Sequence, residues 1–263
     1  MNGLNFVLAK KSRGEKIAML TAYDYSMAVL LEKSGVDIIL VGDSLANVVL
    51  GLDSTVQVGM EVMLHHTRAV LRGAIQTPVV ADMPFEAYQP EGADALFHAR
   101  RFMDIGCAAV KVEWFGRCLD VVELLVKAGV PVVGHIGLTP QTAEQLGGFK
   151  VQGRDAASAE AIKEQAMSLE RAGCLALVLE CVPETLAQAI TRGLKIPTIG
   201  IGAGKHCDGQ VLVVHDLLGF NNRKVPKFAK KYADLGAVIE TAARQYTQEV
   251  KTGEFPGQEH SFR

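Results

Sequence analysis

Eight short apolar runs, most of them separated by amphipathic stretches that end in glycine, constrain this chain more than any other feature. The runs are IAMLTAYD (17–24), DIILVGDS (37–44), PVVADMP (78–84), AAVKVE (108–113), VPVVGHIG (130–137), LALVLE (175–180), PTIGIGAG (197–204) and QVLVVHD (210–216). Each is rich in valine or isoleucine with little polar alternation, the pattern of parallel strands covered on both faces. Parallel neighbours need crossover connections, and the intervening segments supply helical ones. Met27, Leu30 and Leu31 fall on one helical face, and so do Ala161, Ile162, Gln165, Ala166 and Leu169. Gly35, Gly73, Gly106, Gly129, Gly173 and Gly193 close such stretches just before the next run, where a left-handed glycine ends a helix.

This succession predicts a (β/α)8 TIM barrel, and a length of 263 residues predicts one barrel domain over 1–263. An open doubly wound sheet uses the same right-handed units, but a count of eight strands favours closure. GAGKHCDGQ, between the seventh and eighth runs, is too short for a full helix and predicts an irregular flank there. Residues 229–250 read as a long helix, GEFPGQEHSF as an irregular tail, and GGFKVQGRD (147–155) as a loop near the barrel mouth.

A formal net charge of -2 gives no electrostatic footprint for nucleic acid or an anionic membrane. No apolar stretch approaches the roughly 20 residues that cross a bilayer, and MNGLNFVLAKKSRGEK lacks the layout of a secretion signal. A cytoplasmic protein acting on small neutral or acidic metabolites is the expectation. Cys107, Cys118, Cys174, Cys181 and Cys207 show no CxxC or zinc-ribbon spacing and read as buried thiols.

A closed barrel gathers the C-terminal ends of its strands at one mouth, where active sites are built. The runs deliver Asp24, Asp43 with Ser44, Asp82, Lys111 with Glu113, His135, Glu180, a glycine cluster, and His215 with Asp216. Asp43 and Asp82 on adjacent strand ends suit a hard divalent cation such as Mg2+, or each caps the helix that follows. Lys111 and Glu113, two apart, point to the same side of their strand, either as a neutralising ion pair or with Lys111 on a substrate carboxylate and Glu113 beside the metal's water. Glu180, between Leu179 and Cys181 with no cation near it in sequence, suits a partly desolvated general base. His135 reads as a core histidine or a donor to a substrate oxygen, and His65 and His66 as solvent- or subunit-facing. No nucleophile motif accompanies His215 and Asp216, which leaves hydrolase chemistry little support. IGIGAGKH fails the phosphate-loop pattern at Ile199 and His206.

MLTAYD, VGDSL, GLDST, ADMPF, VKVE, GHIGLTPQ, GGFKVQGR, LVLECVP, IGIGAG, DGQVLVVHD and FPGQEHSF together resemble the ketopantoate hydroxymethyltransferase family, from about Ile17 to the C-terminus. The resemblance implies a TIM barrel of the phosphoenolpyruvate/pyruvate type and a bound Mg2+. It also implies one-carbon transfer from 5,10-methylenetetrahydrofolate to 3-methyl-2-oxobutanoate, giving 2-dehydropantoate for pantothenate and coenzyme A synthesis. By motif it assigns Asp43, Asp82 and the more distant Glu113 to the metal, Asp43, Ser44, Asp82 and Lys111 to substrate, and Glu180 to proton abstraction. A homo-oligomer, often a decamer, is implied as well. Trp114 and Phe115 stand where that family's pattern leads one to expect small glycines. Three other readings use the same groups: a metal-dependent lyase or aldolase without folate, a Schiff-base enzyme using Lys111, and a carboxylate-binding protein without turnover.

Overall fold

A computed structural model describes residues 3–90, 93–220 and 225–262. The chain divides into two units, Met1–Val213 and Val214–Arg263.

The first unit is a closed barrel of eight parallel strands in sequence order: β1 (Ile17–Thr21), β2 (Ile38–Val41), β3 (Val79–Asp82), β4 (Ala109–Glu113), β5 (Val132–Gly137), β6 (Ala176–Glu180), β7 (Thr198–Ile201) and β8 (Gly209–Leu212). The seam between β8 and β1 pairs Ile17 with Gly209 and Met19 with Val211. Its helices are α1 (Phe6–Arg13), α2 (Tyr25–Ser34), α3 (Leu45–Val48), α4 (Met60–Gly73), α5 (Ala95–Asp104), α6 (Cys118–Lys127), α7 (Ala156–Arg171) and α8 (Glu184–Gly193). As the short spacing predicts, no helix lies between β7 and β8.

Strand side chains alternate, so every second residue enters the barrel. Ile17 and Met19, Ile38 and Leu40, Val80, Ala109, Val133, Ala176 and Val178, Ile199 and Val211 form one buried cluster. Leu4 and Val7, from the segment that opens with α1, join that cluster and close it on the side where the strands begin. The interior is therefore packed through its lower levels, as in barrels of this kind.

Gly35, Gly106, Gly129 and Gly173 have the positive φ expected of helix-ending glycines. Gly73 and Gly193 do not, since each lies in the last turn of its helix. Gly73 serves another purpose: a Cβ there would stand 2.5 Å from the Tyr25 carbonyl oxygen and 2.9 Å from the Ala28 Cβ, so its bareness lets α4 lie against α2. The predicted helix faces hold at Leu31, Ile162, Ala166 and Leu169, but Leu30 is 61% exposed. All five cysteines are unpaired, and only Cys181 is not fully buried. No described helix is long and apolar enough to cross a membrane.

In the second unit, α9 (Val214–Leu218) precedes α10 (Leu235–Thr252). The eighth strand thus ends at Leu212, and His215 and Asp216 belong to a helix, not to a strand end as the sequence run suggests. The long helix starts later than its pattern predicts, at Leu235 in place of Ala229.

Gly209 lies where the seam leaves no room for a side chain. A Cβ there would lie 2.5 Å from the Ile17 carbonyl oxygen and 2.7 Å from Ile199 Cδ1. Gly209→Ala is expected to lower stability by roughly 1–3 kcal/mol, as overpacking in a close-fitted core does. A urea midpoint unchanged from wild type would contradict this account of the closure.

Candidate active site

The alternation that fills the lower barrel also sets the rim. Two residues above Val80 is Asp82, above Ala109 come Lys111 and Glu113, above Val133 is His135, and above Val178 is Glu180. The same inward face therefore carries apolar side chains deep in the barrel and ionisable ones at its mouth. Asp43 arrives just after β2. Gly42 before it makes room, since a Cβ there would press on Ser44 Oγ at 2.8 Å and approach Asp82 Oδ2 at 3.6 Å.

Asp43, Asp82, Lys111, Glu113 and His135 are all buried. The Asp43 main-chain N–H donates to Asp82 Oδ2 at 2.9 Å, locking the ends of β2 and β3 together. Gln141 Nε2 donates to Asp43 Oδ2 at 2.8 Å, and the Gln141 main-chain N–H donates to Glu113 Oε2 at 2.9 Å. In each acid one oxygen is tied to an amide. Asp82 Oδ1 and Glu113 Oε1 are buried without a hydrogen bond, facing Lys111 Nζ at 3.3 and 3.6 Å. Neither Asp43 nor Asp82 caps a helix; the capping aspartates are Asp24, Asp94 and Asp155.

One ammonium among three carboxylates leaves a surplus of negative charge out of water. Burial, reinforced by the like charges of Asp82 and Glu113, pushes Asp43 up to about 8. Burial likewise raises Asp82, against the pull of Lys111. Glu113 goes the other way, because Lys111 and His135 outweigh its burial. Burial weakens the Lys111 ammonium, yet Asp82, Glu113 and Asp43 together raise it above its ordinary value. A Schiff-base lysine needs depressed basicity, so this environment speaks against Lys111 as an amine nucleophile.

His135 joins the acidic cluster to Glu180. Its Nδ1 lies 3.0 Å from Lys111 Nζ and 3.3 Å from Glu113 Oε1, and its Nε2 lies 3.2 Å from Glu180 Oε2. Burial and the Lys111 ammonium oppose protonation of the ring, but Glu113 and Glu180 outweigh them and raise it to about 9. A 3.0 Å contact with an ammonium is a hydrogen bond only when Nδ1 offers a lone pair. The Lys111 contact thus opposes a proton on Nδ1, while Nε2 stands within ion-pair range of Glu180 without a hydrogen bond. Glu180 thus has a basic neighbour that the local sequence does not reveal, and its side chain stays partly open to solvent. Immediately after it Cys181 takes φ 47°, an unusual left-handed turn for a residue with a side chain. That turn lets the Cys181 carbonyl accept from the Gln152 N–H at 2.9 Å, which ties the 147–155 loop to the end of β6.

Ser44 reaches the site through its hydroxyl, 2.9 Å from Tyr23 Oη. The Trp114 N–H donates to the His135 carbonyl at 2.8 Å, and the Phe115 ring stands edge-on to Tyr88, 5.4 Å between centroids. His66, expected to face outward, instead places Nδ1 2.7 Å from the Tyr23 carbonyl oxygen. The residues missed in the sequence are Gln141, Tyr88 and Tyr23. Tyr23 lies inside the first run beside Asp24 and was within reach, whereas nothing local marks Gln141 or Tyr88.

The barrel fold is one that solved structures of other enzymes share. It superposes with a TM-score of 0.64 on phosphoenolpyruvate phosphomutase from Streptomyces platensis subsp. rosaceus, covering 96% of this chain and 88% of that one at 16% identity. It matches 2,3-dimethylmalate lyase, a PEP mutase/isocitrate lyase superfamily member, with a TM-score of 0.63 over 97% and 88% of the two chains at 15% identity. Sequence narrows the class further. Residues 4–258 match the ketopantoate hydroxymethyltransferase family. The 3-methyl-2-oxobutanoate hydroxymethyltransferase of Carboxydothermus hydrogenoformans is 56% identical over 96% of this chain and 92% of its own length. That of Syntrophus aciditrophicus is 56% identical over 96% and 93%. The chain belongs to the ketopantoate hydroxymethyltransferase family and is an enzyme of that kind.

Lys111→Met would leave Asp82 and Glu113 buried without their cation. Removing one partner of a buried pair costs about 3–5 kcal/mol. Urea unfolding in the absence of divalent ions is expected to show a loss of that order; a variant as stable as wild type would mean that the ammonium does not neutralise this cluster.

Proposed function

We propose that this enzyme transfers a hydroxymethyl group to 3-methyl-2-oxobutanoate, taking the carbon from 5,10-methylenetetrahydrofolate and the hydroxyl oxygen from water, to give 2-dehydropantoate and tetrahydrofolate. The observation that carries the reading is the convergence at one mouth of Asp43, Asp82, Lys111 and Glu113, joined through His135 to Glu180.

Mg2+ belongs to this proposal, and the donor set suits it. Among the described residues no three His, Cys, Asp or Glu side chains form a closed metal cage. Mg2+ does not require one, since it is commonly bound by one or two carboxylates with substrate and water completing the shell. Asp43 and Asp82 would hold it, with Glu113 reaching it through water. When bound, the ion polarises the keto group of the oxo acid and so acidifies the neighbouring C3–H.

The protein's own groups account for the other needs of the reaction. The Lys111 ammonium, held charged by its acidic neighbours, faces the negative charge that develops on the substrate oxygen. Ser44 offers a hydroxyl beside Asp43 for orientation. Glu180 takes the C3 proton, and the His135 ring, held at Nδ1 by Lys111, stands within ion-pair range of that carboxylate at the mouth. The resulting carbanion carbon attacks the donor's methylene, forming the C–C bond as one folate C–N bond breaks. Water then cleaves the second C–N bond, leaving its hydroxyl on the transferred carbon, while its proton and the one taken by Glu180 go to the two freed folate nitrogens. Homo-oligomeric assembly, with the decamer as the expected form, belongs to the same proposal. It is supported by α10, which has no buried residue and exposes Val238, Ile239 and Tyr246.

Incubating the protein with the oxo acid, 5,10-methylenetetrahydrofolate and Mg2+ is expected to yield 2-dehydropantoate, with EDTA abolishing the product. Cleavage of larger oxo acids without any need for folate would replace the proposal with the lyase reading. Glu180→Gln is expected to bind the oxo acid normally yet slow C3 hydrogen exchange in deuterated water by about 10²–10⁴-fold, the usual worth of a positioned base. Wild-type exchange rates in that variant would remove Glu180 from the role.

A further inference from the structure

We propose that Gln141 is the positioning residue of the acidic cluster: it presents Asp43 and Glu113 to the divalent cation with one oxygen of each already occupied, and Tyr88 fixes the way its amide faces. This inference rests on the metal reading above and goes beyond it to a residue that touches neither cation nor substrate in that reading.

Gln141 sits in the short turn Pro140–Thr142 after β5 and is 6% exposed. Its side-chain amide is fully used. Nε2 donates to Asp43 Oδ2 at 2.8 Å and to the Met83 carbonyl at 3.0 Å, while Oε1 accepts from Tyr88 Oη at 2.6 Å and from Gln89 Nε2 at 2.8 Å. A side-chain amide has two donors and two lone pairs, so none is left over.

The directions of these bonds are forced. The Met83 carbonyl can only accept, so the atom facing it is the nitrogen. Tyr88 Oη already accepts from the Glu113 main-chain N–H at 3.1 Å and from Gln89 Nε2 at 3.0 Å, so its single proton goes to Gln141 Oε1. The amide is thereby locked with N–H toward Asp43, occupying Oδ2 and leaving Oδ1 for the metal. The backbone of the same residue repeats the device on Glu113, taking Oε2 and leaving Oε1 without a hydrogen bond. One buried turn thus sets the approach of two acids carried by β4 and the end of β2.

Polar partners that orient metal ligands are typically worth about 10–100-fold in metal affinity. Gln141→Leu keeps the side chain's bulk but loses all its polar contacts, and Tyr88→Phe keeps the ring while releasing the amide to rotate. Mn2+ binding to the otherwise metal-free protein, read by electron paramagnetic resonance, needs no turnover. Gln141→Leu is expected to weaken Mn2+ binding by about 10–100-fold, and Tyr88→Phe by a smaller, severalfold amount. A purely structural role would lower the unfolding temperature while leaving the Mn2+ Kd within twofold of wild type in both variants, and that result overturns the proposal. Should Gln141→Leu not fold, Tyr88→Phe decides alone: a severalfold weaker Kd supports the proposal and a wild-type Kd overturns it. If the wild-type protein itself binds no divalent ion, the metal reading falls and this inference with it. Wild-type binding with unaffected variants sinks only the role given to Gln141.

Discussion

The two-residue period of a β-strand is the constraint on which the rest of this structure depends. A residue enters the barrel only if it shares parity with the core residues beneath it, so Val80 dictates Asp82, Ala109 dictates Lys111 and Glu113, and Val178 dictates Glu180. Packing and chemistry are thus the same rows at different heights. Shifting β4 by one residue would carry Lys111 and Glu113 to the outer face together, taking both the neutralising ammonium and one of its acids out of the mouth.

Burial then gives these groups their character. In water three carboxylates and an ammonium would interact weakly; out of it, each charge depends on a specific partner. The Asp43 N–H secures Asp82, Gln141 secures Asp43 and Glu113, and His135 spans the distance to Glu180. The cluster combines strict hydrogen bonding at one oxygen of each acid with an excess of negative charge. That combination is costly in an empty site and well matched to an incoming divalent cation.

Strand number and order were legible because apolar runs of this length, separated by helical segments, are long-lived signals. Most of the mouth was legible too, since Asp43, Asp82, Lys111, Glu113 and Glu180 each end a run. Where the reading failed, local pattern had no access to the deciding contact. QVLVVHD continues apolar past the point at which β8 stops, so His215 and Asp216 were placed on a strand they do not belong to. Leu30 matched a helical face that faces out. Glu180 looked isolated because its partner His135 is 45 residues away in the chain, on a neighbouring strand. Gln141 was invisible for the same reason, since 98 residues separate it from Asp43.

Trp114 is the chain's single tryptophan, and it follows Glu113 directly with its N–H on the His135 carbonyl. Trp114 is half-buried and lines a cavity shared with Thr139, Gln145 and Ile162. The protein consequently carries one intrinsic indole fluorophore, a single residue along the chain from an acid of the mouth, with no second tryptophan to dilute its signal. Excited selectively, that indole reports on its own cavity in the unlabelled chain.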